Sequence, residues 1–215
     1  MKPRPLIIFF IFLTTGFYAC REENQNHVEG SLTSWPDEQV VSNAEIELSA
    51  QKIEQGSYNS TFDIIDTDIT DQNGKFEFTF EPMRVNMYRL RIIHDDFRTK
   101  TIEFMPEGLA SEYFHNEQIV RQASLSVHIQ NTYTPTSETD EFKIRIKDIT
   151  DVCQNCSDAS FRYFEGANVD TSIIFEVAGD DEVLLEYSAD KENTIYDTQN
   201  VYCEPGDDNF IIINY

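Results

Sequence analysis

From Val28 onward the chain alternates apolar and polar residues with a period of two, and no stretch carries the three-to-four spacing of an amphipathic helix. A strand places successive side chains on opposite faces, so this alternation commits each segment to one buried and one wet side. Val28–Thr33 reads as a first strand, followed by a Pro36-Asp37 turn and then Ala44-Glu45-Ile46-Glu47-Leu48-Ser49. Phe62–Thr70, Lys75–Phe80, Tyr88–His94 and Thr99–Phe104 continue the series. Strands this short and closely spaced, broken by Gly, Pro, Asn and Asp, predict an all-β sandwich.

A second β-block begins at Ala123–Ile129 and continues through Phe142–Lys147, Ser172–Val177, Val183–Tyr187 and Phe210–Tyr215. Between the blocks, residues 106–118 show little alternation and read as a linker. The expected organisation is a signal peptide over 1–19, a tether over 20–26, one sandwich over 27–105 and a second, immunoglobulin-like sandwich over 119–215. No repeat links the two blocks beyond general β patterning.

Residues 1–20 differ in composition from everything after them. Lys2 and Arg4 precede the apolar run Leu6–Leu13, and the apolar stretch to Ala19 falls short of the roughly 20 residues needed to span a bilayer. This is the pattern of a secretory signal. Phe17-Tyr18-Ala19-Cys20 resembles a bacterial lipobox of the loose kind found in Bacteroidetes-type lipoproteins, with bulkier residues than usual at Phe17 and Tyr18. That resemblance implies lipidation of Cys20, a membrane attachment through the lipid anchor, and an outer-membrane location. Acyl chains contribute roughly 0.8 kcal/mol per buried methylene, so a multiply acylated cysteine holds stably. Arg21-Glu22-Glu23 resembles the signal that sends such lipoproteins to the cell surface; a plain solvated tether is the other reading.

Asp71-Gln72-Asn73-Gly74 lies between two alternating runs, and Asn-Gly there is a strong hairpin signal because both residues tolerate positive φ. The series Val41–Leu48, Thr70–Phe78 and Tyr88–Ile92, with Gly30 in the first strand, resembles the carboxypeptidase regulatory-like domain. Ser42-Asn43-Ala44 stands where that family commonly has Pro-Gly-Ala. The resemblance covers residues 27–105 and implies a transthyretin-like (prealbumin-like) β-sandwich, an architecture without a chemistry of its own.

Candidate sites are few. Asp63, Asp66, Asp68, Asp71 and Asn73 crowd together, but their spacing departs from the calcium loop of an EF-hand and lacks its closing Glu. A solvated strand face leading into a hairpin turn is the favoured reading, and a weak calcium site is the alternative. Asp180-Asp181-Glu182 and Asp207-Asp208 read as polar loop tips. Cys153-Gln154-Asn155-Cys156 has no histidines near it to complete a zinc site, so no metal is expected. In an exported chain a structural disulfide is expected, with Cys203 paired to Cys153 or Cys156, or with Cys153 and Cys156 paired and Cys203 free. Trp35, beside Pro36, is the first aromatic to consider as a ring that stacks on a sugar; an edge-of-core anchor is the alternative. Tyr58, Tyr133 and Tyr163 also lie in or near loops.

The chain has no H-E-x-x-H, no G-x-S-x-G and no phosphate-binding glycine loop, which points away from an enzyme and from a cofactor. With 39 acidic residues against 16 basic ones and a net charge of -23, nucleic acid is excluded as a partner, because its phosphates demand Lys and Arg. The expectation is a non-enzymatic, lipid-anchored envelope protein with an adhesive, interaction or scaffold role beside an envelope protein partner. The alternative is a glycan- or calcium-binding module of a surface uptake system.

Overall fold

The computed structural model describes residues 25–54, 57–58, 60–106, 113–133, 136–147, 149–191, 194–206 and 208–215. The signal peptide, Cys20 and all but the last residues of the tether lie outside the described residues. Among the described residues fifteen strands follow one another: β1 (Asn26–Trp35), β2 (Glu45–Glu54), β3 (Ser57–Tyr58), β4 (Asp63–Ile69), β5 (Lys75–Phe80), β6 (Val85–His94), β7 (Phe97–Phe104) and β8 (Tyr113–Val120) come first. Then come β9 (Gln122–Gln130), β10 (Glu141–Lys147), β11 (Arg162–Glu165), β12 (Asp170–Ala178), β13 (Asp181–Asp190), β14 (Ile195–Cys203) and β15 (Asp208–Asn214). The fold is all-β and comprises two β-sandwiches, as the alternation predicts.

In the first sandwich a three-stranded sheet, ordered β5-β1-β8, faces a larger one in which β6 lies between β2 and β7 while β3 and β4 share the other edge of β2. In the second, β12-β9-β15 faces β11-β10-β13-β14. These are one topology used twice. Each small sheet has the first strand of its sandwich at the centre, an antiparallel neighbour on one side and the last strand, parallel, on the other. The second sandwich therefore repeats the strand order of the first, a relationship that the sequence conceals.

The alternation is realised strand by strand. Val28 and Leu32 of β1, Phe76 and Phe78 of β5, and Ile46 and Leu48 of β2 point into one core. Leu125, Val127 and Ile129 of β9 meet Phe142, Ile144 and Leu185 in the other. Each fully buried side chain of this size contributes about 1.5–3 kcal/mol.

Two expectations change. The Asn73-Gly74 turn does not close a hairpin: β4 pairs with β2 and β5 with β1, so the turn carries the chain from one sheet to the other. Only Gly74 takes positive φ, and the Asp71 carboxylate holds the turn by accepting the N–H groups of Asn73 and Lys75, both at 2.8 Å. The expected linker 106–118 is also partly strand. Tyr113–Val120 runs parallel to β1 in continuous register from Val28↔Tyr113 to Trp35↔Val120, so the first sandwich extends past residue 105 to Val120. Its inward positions include His115 rather than an unbroken apolar set, which hides the alternation.

Candidate functional site

β8 passes into β9 with only Arg121 between them, and Arg121 itself bridges to Phe97. One nearly unbroken run from Tyr113 to Gln130, ~60 Å of extended chain, thus belongs to both sandwiches. The sandwiches meet end to end around Arg121. The start of β1 lies at the pole away from the second sandwich, and Trp35, at its other end, lies at the junction.

Three contacts fix this junction. The first is Arg98 of β7, whose guanidinium donates to the carbonyl of Val177 at 3.0 Å and to that of Ala123 at 2.5 Å, and pairs with Glu176 at 2.7 Å. The second is a set of backbone bonds: Gln122 N–H to the Asp96 carbonyl at 3.0 Å, and Gly179 N–H to the Arg121 carbonyl at 2.8 Å. Gly179 has no room for a side chain, since a Cβ there would come within 2.7 Å of Pro205. The third is the loop carrying the cysteines. The Gln154 side chain accepts the Thr101 N–H at 2.9 Å, and Asn155 Nδ2 donates to the Thr99 carbonyl at 2.6 Å.

The structure joins Cys153 to Cys156 and leaves Cys203 as a free, buried thiol. Burial pushes that thiol up to about 11, so it stays protonated at neutral pH and is a poor nucleophile. Val120, Cys153 and Ala178 form a small apolar cluster, and Trp35, Val152 and Cys156 pack against it. Two features singled out separately in the sequence, the lone tryptophan and the Cys-x-x-Cys segment, therefore share one cluster. Trp35 is partly buried, and it packs against this junction cluster. Tyr133 and Tyr163 are exposed, while the Tyr58 side chain is outside the described set.

The acidic residues have local occupations. Asp66 and Asp68 each accept the N–H of the following residue, Asp68 also accepts the Glu77 N–H at 2.8 Å, and Asp63 faces Lys52 at 3.3 Å. Hydrogen bonds led by the Lys75 N–H hold Asp71 below the usual carboxylate range. Asp180 pairs with Arg121 at 3.5 Å, and Asp208 accepts the Ser124 hydroxyl at 3.0 Å; Asp207 lies outside the described residues. Among the described residues no group of three His, Cys, Asp or Glu side chains is arranged to hold a metal ion.

The far pole of the second sandwich holds a polar cluster that the sequence did not signal. Lys191 donates to Asn131 Oδ1 and to the Tyr133 carbonyl, both at 2.6 Å, and lies 3.7 Å from Asp140. Asp140 also accepts from Asn131 Nδ2 and the Ser137 N–H, each at 3.0 Å. These bonds pin the loop after β9 to the start of β10. Nearby, on the outer face of the small sheet, Ile174 and Phe210 both lie opposite Ser126, and Ile212 lies opposite His128. All three apolar side chains are more than half exposed.

No family model matches the chain, and no curated protein matches it in sequence. Among solved structures, a D295N mutant of the shaft pilin SpaA from Lactobacillus rhamnosus GG is 9% identical, with a TM-score of 0.37 over 88% of this chain and 98% of that one. GBS52, the minor pilin of Streptococcus agalactiae, is 10% identical, with a TM-score of 0.35 over 88% of this chain and 94% of that one. Catechol 1,2 dioxygenase from Acinetobacter radioresistens is 14% identical, with a TM-score of 0.34 over 46% of this chain and 53% of that one. Likenesses this distant say nothing of what the chain does.

Proposed function

We propose that this chain is a non-enzymatic envelope protein, anchored to the outer membrane through lipid on Cys20 and displayed at the cell surface for an interaction or scaffold role. The observation that carries the reading is the placement of its two ends. The tether enters the first sandwich at the pole away from the junction, and the clamped junction holds the second sandwich at the other end. A lipid at Cys20 then leaves the second sandwich outermost. The exposed apolar side chains of Ile174, Phe210 and Ile212 sit on that outermost sandwich, and this is the face we assign to a partner. The acid surplus suits a body that stands off an anionic envelope rather than lying on it.

The test is fractionation combined with labelling of intact cells. Wild-type protein is expected in the membrane fraction and accessible to a non-permeant amine reagent, and Cys20→Ser is expected in the soluble fraction. Retention of Cys20→Ser in the membrane would overturn the anchor, and protection of the wild type from the reagent would overturn surface display.

A further inference from the structure

β7 is the last strand of the large sheet in the first sandwich, and among the described residues its far edge meets only the single bridge from Phe97 to Arg121, with no strand pairing the rest of it. An open edge presents unpaired N–H and C=O groups, and proteins cover such edges. Here the Thr101 N–H and the Thr99 carbonyl are met by the side chains of Gln154 and Asn155. Those are the two residues enclosed between Cys153 and Cys156. The disulfide therefore closes a four-residue ring whose two inner side chains stand in for a neighbouring strand, and they reach it from the other sandwich.

From this juxtaposition we infer that Cys153–Cys156 is a thiol–disulfide exchange site that latches the junction, opened by a protein dithiol and closed again by the reverse exchange with a protein disulfide, which is reduced to its dithiol. The inference goes beyond surface display and stands whether or not the chain is anchored. Cys156 is the more exposed of the two cysteines and borders a cavity of about 20 Å³ lined also by Thr150, Ser157 and Glu176. A donor thiolate attacks the Cys156 sulfur, the S–S bond breaks, and Cys153 leaves as a thiolate that takes up a proton. The donor's second thiol loses its proton and displaces Cys156 from the mixed disulfide; Cys156 is then protonated. Both cysteines end as thiols and the donor as a disulfide, a two-electron exchange. Cys203, buried and protonated, does not compete.

A bridge spanning three positions constrains little of the unfolded chain, so its reduction leaves the sandwiches folded. What it releases is the geometry of Gln154 and Asn155. Arg98 and the β8–β9 strand still join the sandwiches, so the latch frees one edge of the junction and not the whole of it.

Amide hydrogen exchange tests this in the Cys203→Ser background, with the disulfide intact or reduced by dithiothreitol. The Thr101 amide is expected to exchange at least tenfold faster after reduction, while amides of β10 and β13 keep their protection. Gln154→Ala with the disulfide intact is expected to give the same acceleration at Thr101. Unchanged Thr101 exchange on reduction would overturn the latch. So would a simultaneous loss of protection through β10 and β13, which would make the bridge a staple of the second sandwich. A Gln154→Ala chain with wild-type exchange at Thr101 also counts against it.

Discussion

Val177 and Ala123 face each other across β12 and β9, and their two carbonyls accept hydrogen bonds from the same guanidinium, that of Arg98. A single side chain from the first sandwich thus ties together a register pair of the second. The planar fork of arginine, with its donors fixed in direction, is what lets one residue serve both acceptors and Glu176 as well.

Arg98→Ala removes that fork and strands two carbonyls at the junction. Bonds from a charged donor are worth about 1.5–3 kcal/mol each, and the side chain is only 11% exposed, so a loss of about 3 kcal/mol is expected. The expected readout in calorimetry is a single transition split into two, one for each sandwich. Trp35, the only tryptophan in the chain and part of the junction cluster, should change its fluorescence with the earlier transition. Arg98→Lys should restore part of the coupling. A single unsplit transition in Arg98→Ala would count against the clamp.

Gly30→Ala is expected to damage the first sandwich. A Cβ at Gly30 would lie 2.1 Å from the His115 carbonyl and 2.5 Å from the Phe76 ring, so β8 must move away from β1. Overpacking of this kind costs about 3 kcal/mol. Gly206→Ala is the contrast: a Cβ there meets nothing within 4 Å, and only the positive φ of 75° opposes it, at about 1 kcal/mol. Urea midpoints of the two variants, measured side by side, check the ordering.

Asp140 links stability to acid pH. The Asn131 side chain, then the Ser137 N–H and Lys191, hold its carboxyl below the ordinary 3.8. A carboxyl lowered in the folded state stabilises at pH values above its unfolded pKa, and that contribution is lost as pH falls through the folded value. Asp140→Asn should therefore be less stable than wild type at pH 7, where the nearly buried Lys191 ammonium has lost its counter-charge. The gap should narrow as pH falls below about 3.8 in urea titrations.

Tyr215 gives the opposite pH limb. Its ring stacks on Phe142 at 4.6 Å, its hydroxyl is buried without a hydrogen-bond partner among the described residues, and burial pushes its pKa up to about 12. A phenol raised above the ordinary 10.0 stabilises fully below pH 10 and loses that contribution as pH rises from 10 toward 12. Tyr215→Phe keeps the stack and removes the stranded hydroxyl. It should match or exceed wild-type stability at pH 7 and show a flatter decline above pH 10 in thermal melts.

Segments with clean alternation, such as Ala44–Ser49 and Lys75–Phe80, declare themselves in the sequence because one face is core and the other water. β8 does not, since it buries His115 as well as Ile119 and finds its partner, β1, some eighty residues earlier. β14 is hidden for another reason: most of Ile195–Cys203 is exposed, so nothing selects an alternating pattern. The doubled topology is silent because strand order constrains only which faces are apolar, a demand that many unrelated sequences meet. The Cys-x-x-Cys motif was visible, but its role at the junction depends on Thr99 and Thr101, more than fifty positions away. Arg98 carried no signal at all, since an arginine in an edge strand reads as solvated.

The parallel pairing of β1 with β8 sets how the molecule responds to tension. A pull between the start of β1 and the second sandwich enters at Asn26 and leaves through Val120, at opposite ends of two strands that run the same way. The hydrogen bonds from Val28 to Trp35 are then loaded together in shear instead of being peeled apart one by one. Under such a pull these two strands must slide past one another before β1 separates from β8, which makes their ladder the element that resists extension along the molecule's length.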